Sequence, residues 1–279
     1  QNKKDIERIT EIPIIGLIGH NDKETNLVVS KSPKSSISEG FRTLRANLKF
    51  IMKDSSSGNS HIVLITSSIG GEGKTFTSIN LATVLALSGS ETILVGMDLR
   101  KPKIYNDFGL TNDVGVTNFL VNDVELNEAI QPTSVPNLSL ISAGPIPPNP
   151  SELIVSDKFS EMLKELQTRF QYVVLDTPPI GLVADALEMM QFSDMNVYVT
   201  RQNYTDKQLL NLIDERYRER TVSQIGLVLN DFSVKGGYGY GYGYGYGYGY
   251  GYGYGYGYGY YDEDNKKGKS FIKRIFKKK

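Results

Sequence analysis

The chain has 279 residues, 39% hydrophobic and 22% charged, enough to bury the core of one large α/β domain or two small ones. It has no cysteine, which excludes disulfides, thiolate catalysis and Cys-held zinc or iron–sulfur sites and suits a reducing compartment; its two histidines, His20 and His61, are too isolated for a metal site. The formal net charge is zero, but eight Lys/Arg lie between Lys266 and Lys279, and setting these and Asp262, Glu263 and Asp264 aside leaves 23 basic and 28 acidic residues in 1–261, without the basic excess of broad nucleic-acid binders.

No apolar run reaches the ~18 residues of a membrane span, and no signal-peptide pattern is visible. The chain opens on Gln1 rather than methionine and is read as a fragment of a longer protein. Residues 1–35 hold a short polar helix, the apolar run IPIIGLIG at 12–19 and a polar linker. A helix is expected from Ser36, where Ser36 and Glu39 form a capping box and Phe41, Leu44, Leu48 and Ile51 recur at helical spacing.

Beyond the Ser/Gly-rich gap at 54–60, apolar β-branched runs alternate with helical stretches. Strands are expected at 62–66, 92–97, 138–142, 172–176, 195–200 and 225–229, and helices at 74–88, 115–121, 151–169, 183–192 and 205–220. This alternation predicts an α/β doubly wound domain, a mainly parallel sheet covered on both faces, with ligands at the carboxyl ends of the strands. From Gly236 to Tyr261 the chain is an almost pure Gly-Tyr alternation, read as flexible because glycine at every second place is entropically costly to order. From Lys266 the tail is basic, with Phe271, Ile272, Ile275 and Phe276 at helical spacing; membrane contact and simple solubilisation both fit it.

The segment HIVLITSSIGGEGKT at 61–75 runs from a strand into a glycine-rich turn and then a helix. Backbone N–H groups of Gly71 to Thr75 are expected around a β-phosphate, Lys74 on the β/γ oxygens and the Thr75 hydroxyl on Mg²⁺. Ser68 stands where the G-x-x-x-x-G-K-[ST] pattern has its first glycine. Two further strands deliver acids to the same edge: YVVLD, ending at Asp176, and ILVGMDLRKP, carrying Asp98 with Arg100, Lys101 and Lys103 behind it.

These features resemble the bacterial tyrosine kinases, P-loop proteins related to the MinD/ParA ATPases. DIERIT and IPIIG at 5–16 resemble the segment after that family's membrane helix, and EGFRTLR resembles its E-x-x-R-x-x-R oligomerisation motif through Glu39, Arg42 and Arg45. GGEGKT is similar to Walker A, MDLRKP to Walker A′, DTPP to Walker B, AGPIPPNPSEL at 143–153 to a family loop and GLVLN to the last core strand. One departure is Gly96, which replaces the first acid of the usual D-x-D-x-R segment.

The resemblance implies a tyrosine kinase that uses ATP and Mg²⁺. Gly70, Gly71, Glu72, Gly73, Lys74, Thr75 and Phe76 would surround the nucleotide, with Asn230 at the adenine. Thr75, Asp98 and Asp176 would hold the metal; Lys74, Asp98, Arg100 and Asp176 would be catalytic, Asp98 as the base. The acceptors would be Tyr238, Tyr240, Tyr242, Tyr244, Tyr246, Tyr248, Tyr250, Tyr252, Tyr254, Tyr256, Tyr258, Tyr260 and Tyr261, while Tyr105, Tyr172, Tyr198, Tyr204 and Tyr217 read as structural. The segments would be a juxtamembrane or linker piece packing on the core at 1–35, the kinase core at 36–235, the acceptor tail at 236–261 and the basic segment at 262–279.

Implied partners are further copies of the chain in a ring, the tail of one in the site of the next, a cognate tyrosine phosphatase, and the membrane through a preceding region and the basic tail, but no nucleic acid. The setting would be the cytoplasmic face of the bacterial inner membrane, in capsule or exopolysaccharide export. The competing reading is a MinD/ParA-type switch ATPase without kinase activity; those proteins carry a lysine early in the loop, where this chain has Ile69. A Gly-Tyr run that only self-associates is the alternative for the tail.

Overall fold

A computed structural model of the chain describes residues 3–52, 60–181 and 185–233. The thirteen tail tyrosines and the basic segment lie outside the described residues. The chain enters through α1 (Lys3–Glu7), β1 (Ile14–Gly19), α2 (Val28–Lys31) and α3 (Ser36–Met52). Strand β2 (His61–Ser67) leads into α4 (Lys74–Ala86), and β3 (Thr92–Gly96) into α5 (Ile104–Phe108), α6 (Val116–Leu120) and α7 (Leu126–Ala129). Next come β4 (Ile130–Pro132), β5 (Leu138–Ile141), α8 (Pro150–Ile154) and α9 (Asp157–Arg169). The described part ends with β6 (Tyr172–Asp176), α10 (Asp185–Met190), β7 (Met195–Arg201), α11 (Lys207–Arg218) and β8 (Ile225–Phe232).

The strands form one eight-stranded sheet in the order β1-β8-β7-β2-β6-β3-β5-β4, parallel except for β4 against β5. The side-chain period of two divides each central strand between two cores. Ile62, Leu64, Val173 and Leu175 face the cluster built by α6, α9, α10 and α11, while Val63, Ile65, Tyr172 and Val174 face that of α3 and α4. Both faces are therefore covered, which is why the strands read as unbroken apolar runs.

Several boundaries differ from those expected. The expected capping box does not form: Ser35 caps the helix alone, accepting from the Ser38 N–H at 3.2 Å, and Glu39, a position too deep to answer it, pairs with Arg42 instead. The helix expected at 151–169 is broken in two, because Ser156 caps a fresh start at α9 by accepting from Phe159 N. The segment before residue 36 contributes strand β1 to the sheet edge, paired in parallel with β8. Among the described residues, no helix is long and apolar enough to cross a membrane.

The entry segment is tied down by one buried carboxylate. Asp214 on α11 accepts from Thr10 Oγ1 at 2.6 Å and Glu11 N at 2.8 Å, and pairs with Arg218 Nε at 2.8 Å. Asp214→Ala leaves the Thr10 hydroxyl and the Glu11 N–H without their acceptor and should lower unfolding free energy by about 3 kcal/mol. Urea denaturation measures this; a loss below about 0.5 kcal/mol would show that the segment is held by other means.

Candidate active site

The middle strand β6 sits between β2 and β3, and the register places Asp176 opposite Ile65 on one side and Gly96 on the other. Three strand ends therefore meet at one edge: β2 runs into the glycine-rich loop, β6 ends in Asp176, and β3 delivers Asp98 two residues past its end. They enclose a cavity of about 350 Å³. Gly70, Gly71 and Gly73 to Phe76 line one wall, with Asp98, Arg100 and Asp176 across from them. Gly96 also faces the cavity, and a Cβ there would lie 3.2 Å from Ile104 Cγ2 and 3.3 Å from Ala143 N, so an acid would be crowded at that position.

The loop has the shape of a phosphate cradle. Gly71 and Gly73 adopt φ of +87° and +95°, conformations that glycine takes without steric cost. A Cβ at Gly73 would also stand 2.0 Å from Asn230 Nδ2. Ser68 does not have a positive φ, so the loop does not require glycine there; its hydroxyl accepts from the buried Tyr198 hydroxyl at 2.8 Å. Helix α4 starts at Lys74 and points its N-terminus into the cavity, where its free N–H groups and dipole favour an anion.

Lys74 Nζ lies 3.4 Å from Asp98 Oδ2 and 3.8 Å from Asp176 Oδ1. Thr75 Oγ1 donates to Asp176 Oδ2 at 2.9 Å, and Ser78 Oγ, one helical turn on, donates to Oδ1 at 2.9 Å. Burial pushes the Asp176 carboxyl above its ordinary value, against the opposing pull of Lys74 and the two hydroxyls, and the nearby Asp98 adds to the rise. A threonine hydroxyl beside carboxylates is an all-oxygen set that suits Mg²⁺, and a cation there would relieve the crowded negative charge. Arg100 is held at the cavity rim: its Nη2 donates to Asp185 Oδ2 and to Ser151 Oγ, both at 3.0 Å.

The AAA domain family matches residues 60–220. The tyrosine-protein kinase YwqD of Bacillus subtilis is 35% identical over 207 residues, covering 74% of this chain and 86% of YwqD. The tyrosine-protein kinase CpsD of Streptococcus agalactiae is 33% identical over 196 residues, 70% of this chain and 82% of CpsD. The chain belongs to the bacterial tyrosine-protein kinases. The solved kinase domain of the Escherichia coli tyrosine kinase ETK has a TM-score of 0.77 at 27% identity, covering 88% of this chain and 99% of that domain.

Two residues expected at the nucleotide of this kinase do not line the cavity. Glu72 is fully buried, and its carboxylate accepts from Ile69 N at 2.9 Å and from the Thr205 hydroxyl, bracing the loop from behind. Burial pushes its carboxyl up, against those bonds. Asn230 donates from Nδ2 to the Glu72 carbonyl at 3.0 Å, so its side chain serves the back of the loop rather than the cavity. Ser78, Ser151 and Asp185 were missed from sequence. Of these only Ser78 had a local signal, sitting four residues past Lys74 on the same helix face. On α3, Arg42 bonds Glu39 and the Pro33 carbonyl, and Arg45 bonds the Val84 carbonyl at 3.2 Å.

A raised carboxyl has a definite sign for stability. Asp176 binds its proton more readily folded than unfolded, so its charged form opposes folding, and the penalty grows as pH rises above the ordinary carboxylate value of about 3.9. Asp176→Asn removes that penalty while Lys74 keeps Asp98. The variant's thermal midpoint without ligand should exceed the wild type's at pH 7.5 by about 2–4 °C, and the gap should close toward pH 4. A lower midpoint for the variant at pH 7.5 would contradict the electrostatics described here.

Proposed function

We propose that this chain is an ATP-dependent protein-tyrosine kinase that converts ATP and protein tyrosine to ADP and phosphotyrosine, acting in trans on the tyrosines at 238–261. The observation that carries the proposal is the joining of Lys74, Thr75, Asp98 and Asp176 at the mouth of a glycine-rich cradle. Phosphoryl transfer depends on positioning and charge neutralisation rather than covalent chemistry, and this set supplies both. Lys74 and the loop N–H groups orient the β- and γ-phosphates. Thr75 and Asp176 would hold Mg²⁺, and the ion would supply positive charge against the phosphate oxygens. Asp98, 18% exposed at the side chain, stands where an incoming phenol arrives and takes its proton as the phosphoryl group moves to the oxygen. Arg100, 40% exposed and secured by Asp185, faces the transferred group.

The same reading extends to the setting. The Glu39, Arg42 and Arg45 face of α3 is the proposed contact between copies, which would bring one chain's tail to the next chain's site in a ring. The proposed setting is capsule or exopolysaccharide export at the cytoplasmic face of the inner membrane, with a tyrosine phosphatase reversing the modification; the relatives CpsD and YwqD, both named tyrosine-protein kinases, support the activity.

Mixing two variants tests activity and direction together. One is the Lys74→Met chain with its tail intact; the other has normal Lys74 but phenylalanine at all thirteen tail tyrosines. Incubated with Mg-ATP, the first alone should form phosphotyrosine about 100-fold more slowly than wild type. Adding the second should restore labelling of the Lys74→Met chain's tail, read by mass spectrometry. Wild-type label that survives Lys74→Met undiminished would sink the site, and a mixture without transfer would sink the trans reading.

A further inference from the structure

Four successive carbonyls of the phosphate loop each accept from a side chain. Ile69 O accepts from Ser67 Oγ at 2.9 Å, and Gly70 O from the Tyr204 hydroxyl at 2.9 Å. Gly71 O accepts from Arg201 Nη1 at 3.1 Å, and Glu72 O from Asn230 Nδ2 at 3.0 Å. Three of these four donors come from one side of β2: Arg201 ends β7, which pairs with β2, Tyr204 lies in the turn leaving β7, and Asn230 is near the end of β8, the next strand out. That turn is fastened to the loop a second time, through the Thr205 hydroxyl on the buried Glu72 carboxylate.

The consequence follows from peptide geometry. In a planar trans peptide the carbonyl and the next residue's N–H point in opposite directions. Fixing the carbonyls of 69–72 against donors behind the loop therefore turns the N–H groups of 70–73 the other way, toward the cavity. Among the described residues, none of those four N–H groups has a hydrogen-bond partner. The clamp also keeps four partial negative charges away from where phosphate oxygens would sit. Arg201 is itself anchored: Asp231 accepts from its Nε at 2.9 Å, and its guanidinium lies 5.2 Å from the Tyr204 ring centre. Burial would raise the Asp231 carboxyl, but hydrogen bonds from His20 and Arg201 hold it below its ordinary value, so it stays an anion facing the arginine.

We propose that Arg201 and Tyr204 are positioning residues of the nucleotide site, which hold the phosphate loop in its binding shape by clamping its carbonyls from behind. This rests on the nucleotide-binding reading above. Tyr204, which reads from sequence as structural, thereby joins the site although it touches no substrate. Because the loop grips phosphates alike in the ground state and the transition state, loss of the clamp should raise KM and leave kcat near its normal value.

The test uses Tyr204→Phe and Arg201→Met in the full chain, with ADP and ATP affinity measured by calorimetric titration in Mg²⁺, alongside autophosphorylation kinetics and thermal midpoints. Tyr204→Phe should weaken ADP and ATP binding about 5-fold, the worth of one ordinary hydrogen bond, with the ligand-free midpoint within about 1 °C of wild type. Arg201→Met, which removes a charged donor, should weaken binding about tenfold or more. In both, the KM for ATP should follow the dissociation constant while kcat stays within twofold. Dissociation constants within twofold of wild type in Tyr204→Phe would overturn the proposal, and so would a loss confined to kcat. Should Arg201→Met fold poorly, Tyr204→Phe decides alone. A wild-type chain that binds ADP tightly yet forms no phosphotyrosine would refute the kinase reading and leave the clamp standing.

Discussion

A carboxylate at the carboxyl end of the middle strand, cut off from water, is the constraint around which this site is arranged. Asp176 is only 3% exposed and is shared among Thr75, Ser78 and Lys74. Burying a charge is tolerable only where partners compensate it. Here the compensation is incomplete, which is why its carboxyl rises above the ordinary value. A bound cation would complete it. The fold thus stores at one point an electrostatic deficit that a metal–nucleotide complex can relieve, a case of stability yielding to function.

What holds that point in place is the parallel register. Because β6 lies between β2 and β3, the strand that feeds the loop and the strand that delivers Asp98 flank the strand that ends in Asp176. A slip of one residue in β6 would send Asp176 to the other face of the sheet, away from Lys74 and Thr75. The two apolar clusters prevent that slip, since it would exchange Val173 and Leu175 with Tyr172 and Val174 across the sheet. Packing remote from the cavity therefore fixes the distances inside it.

The parts legible in the sequence were those with a local cause. The β-branched runs, the loop and the acids at 98 and 176 announce themselves through period, composition and position. The apolar run before residue 20 was visible, but its place as strand β1 depends on pairing with β8, some 200 residues later, which no local pattern encodes. The same holds for the back of the loop. Glu72 and Asn230 both look like nucleotide contacts until Thr205 and Ile69 N are found around the one and the Glu72 carbonyl beside the other. Strand β4, three residues long, is too short to show any period. Ser35 and Ser36 are both good caps by type, and the Ser38 hydroxyl on the Ser32 carbonyl, a tertiary detail of the preceding turn, accompanies the choice of Ser35.

The cradle is already built before any ligand arrives, and Asp176 stands ready for a cation beside it. A crystal structure with Mg²⁺ and a non-hydrolysable ATP analogue tests this most directly. The backbone of 68–75 should stay within about 1 Å of its present course. Gly71 and Gly73 should keep their positive φ, and the Thr75 hydroxyl should turn from Asp176 to the metal. A loop that refolds around the nucleotide, or a nucleotide bound away from Lys74 and Asp176, would contradict it.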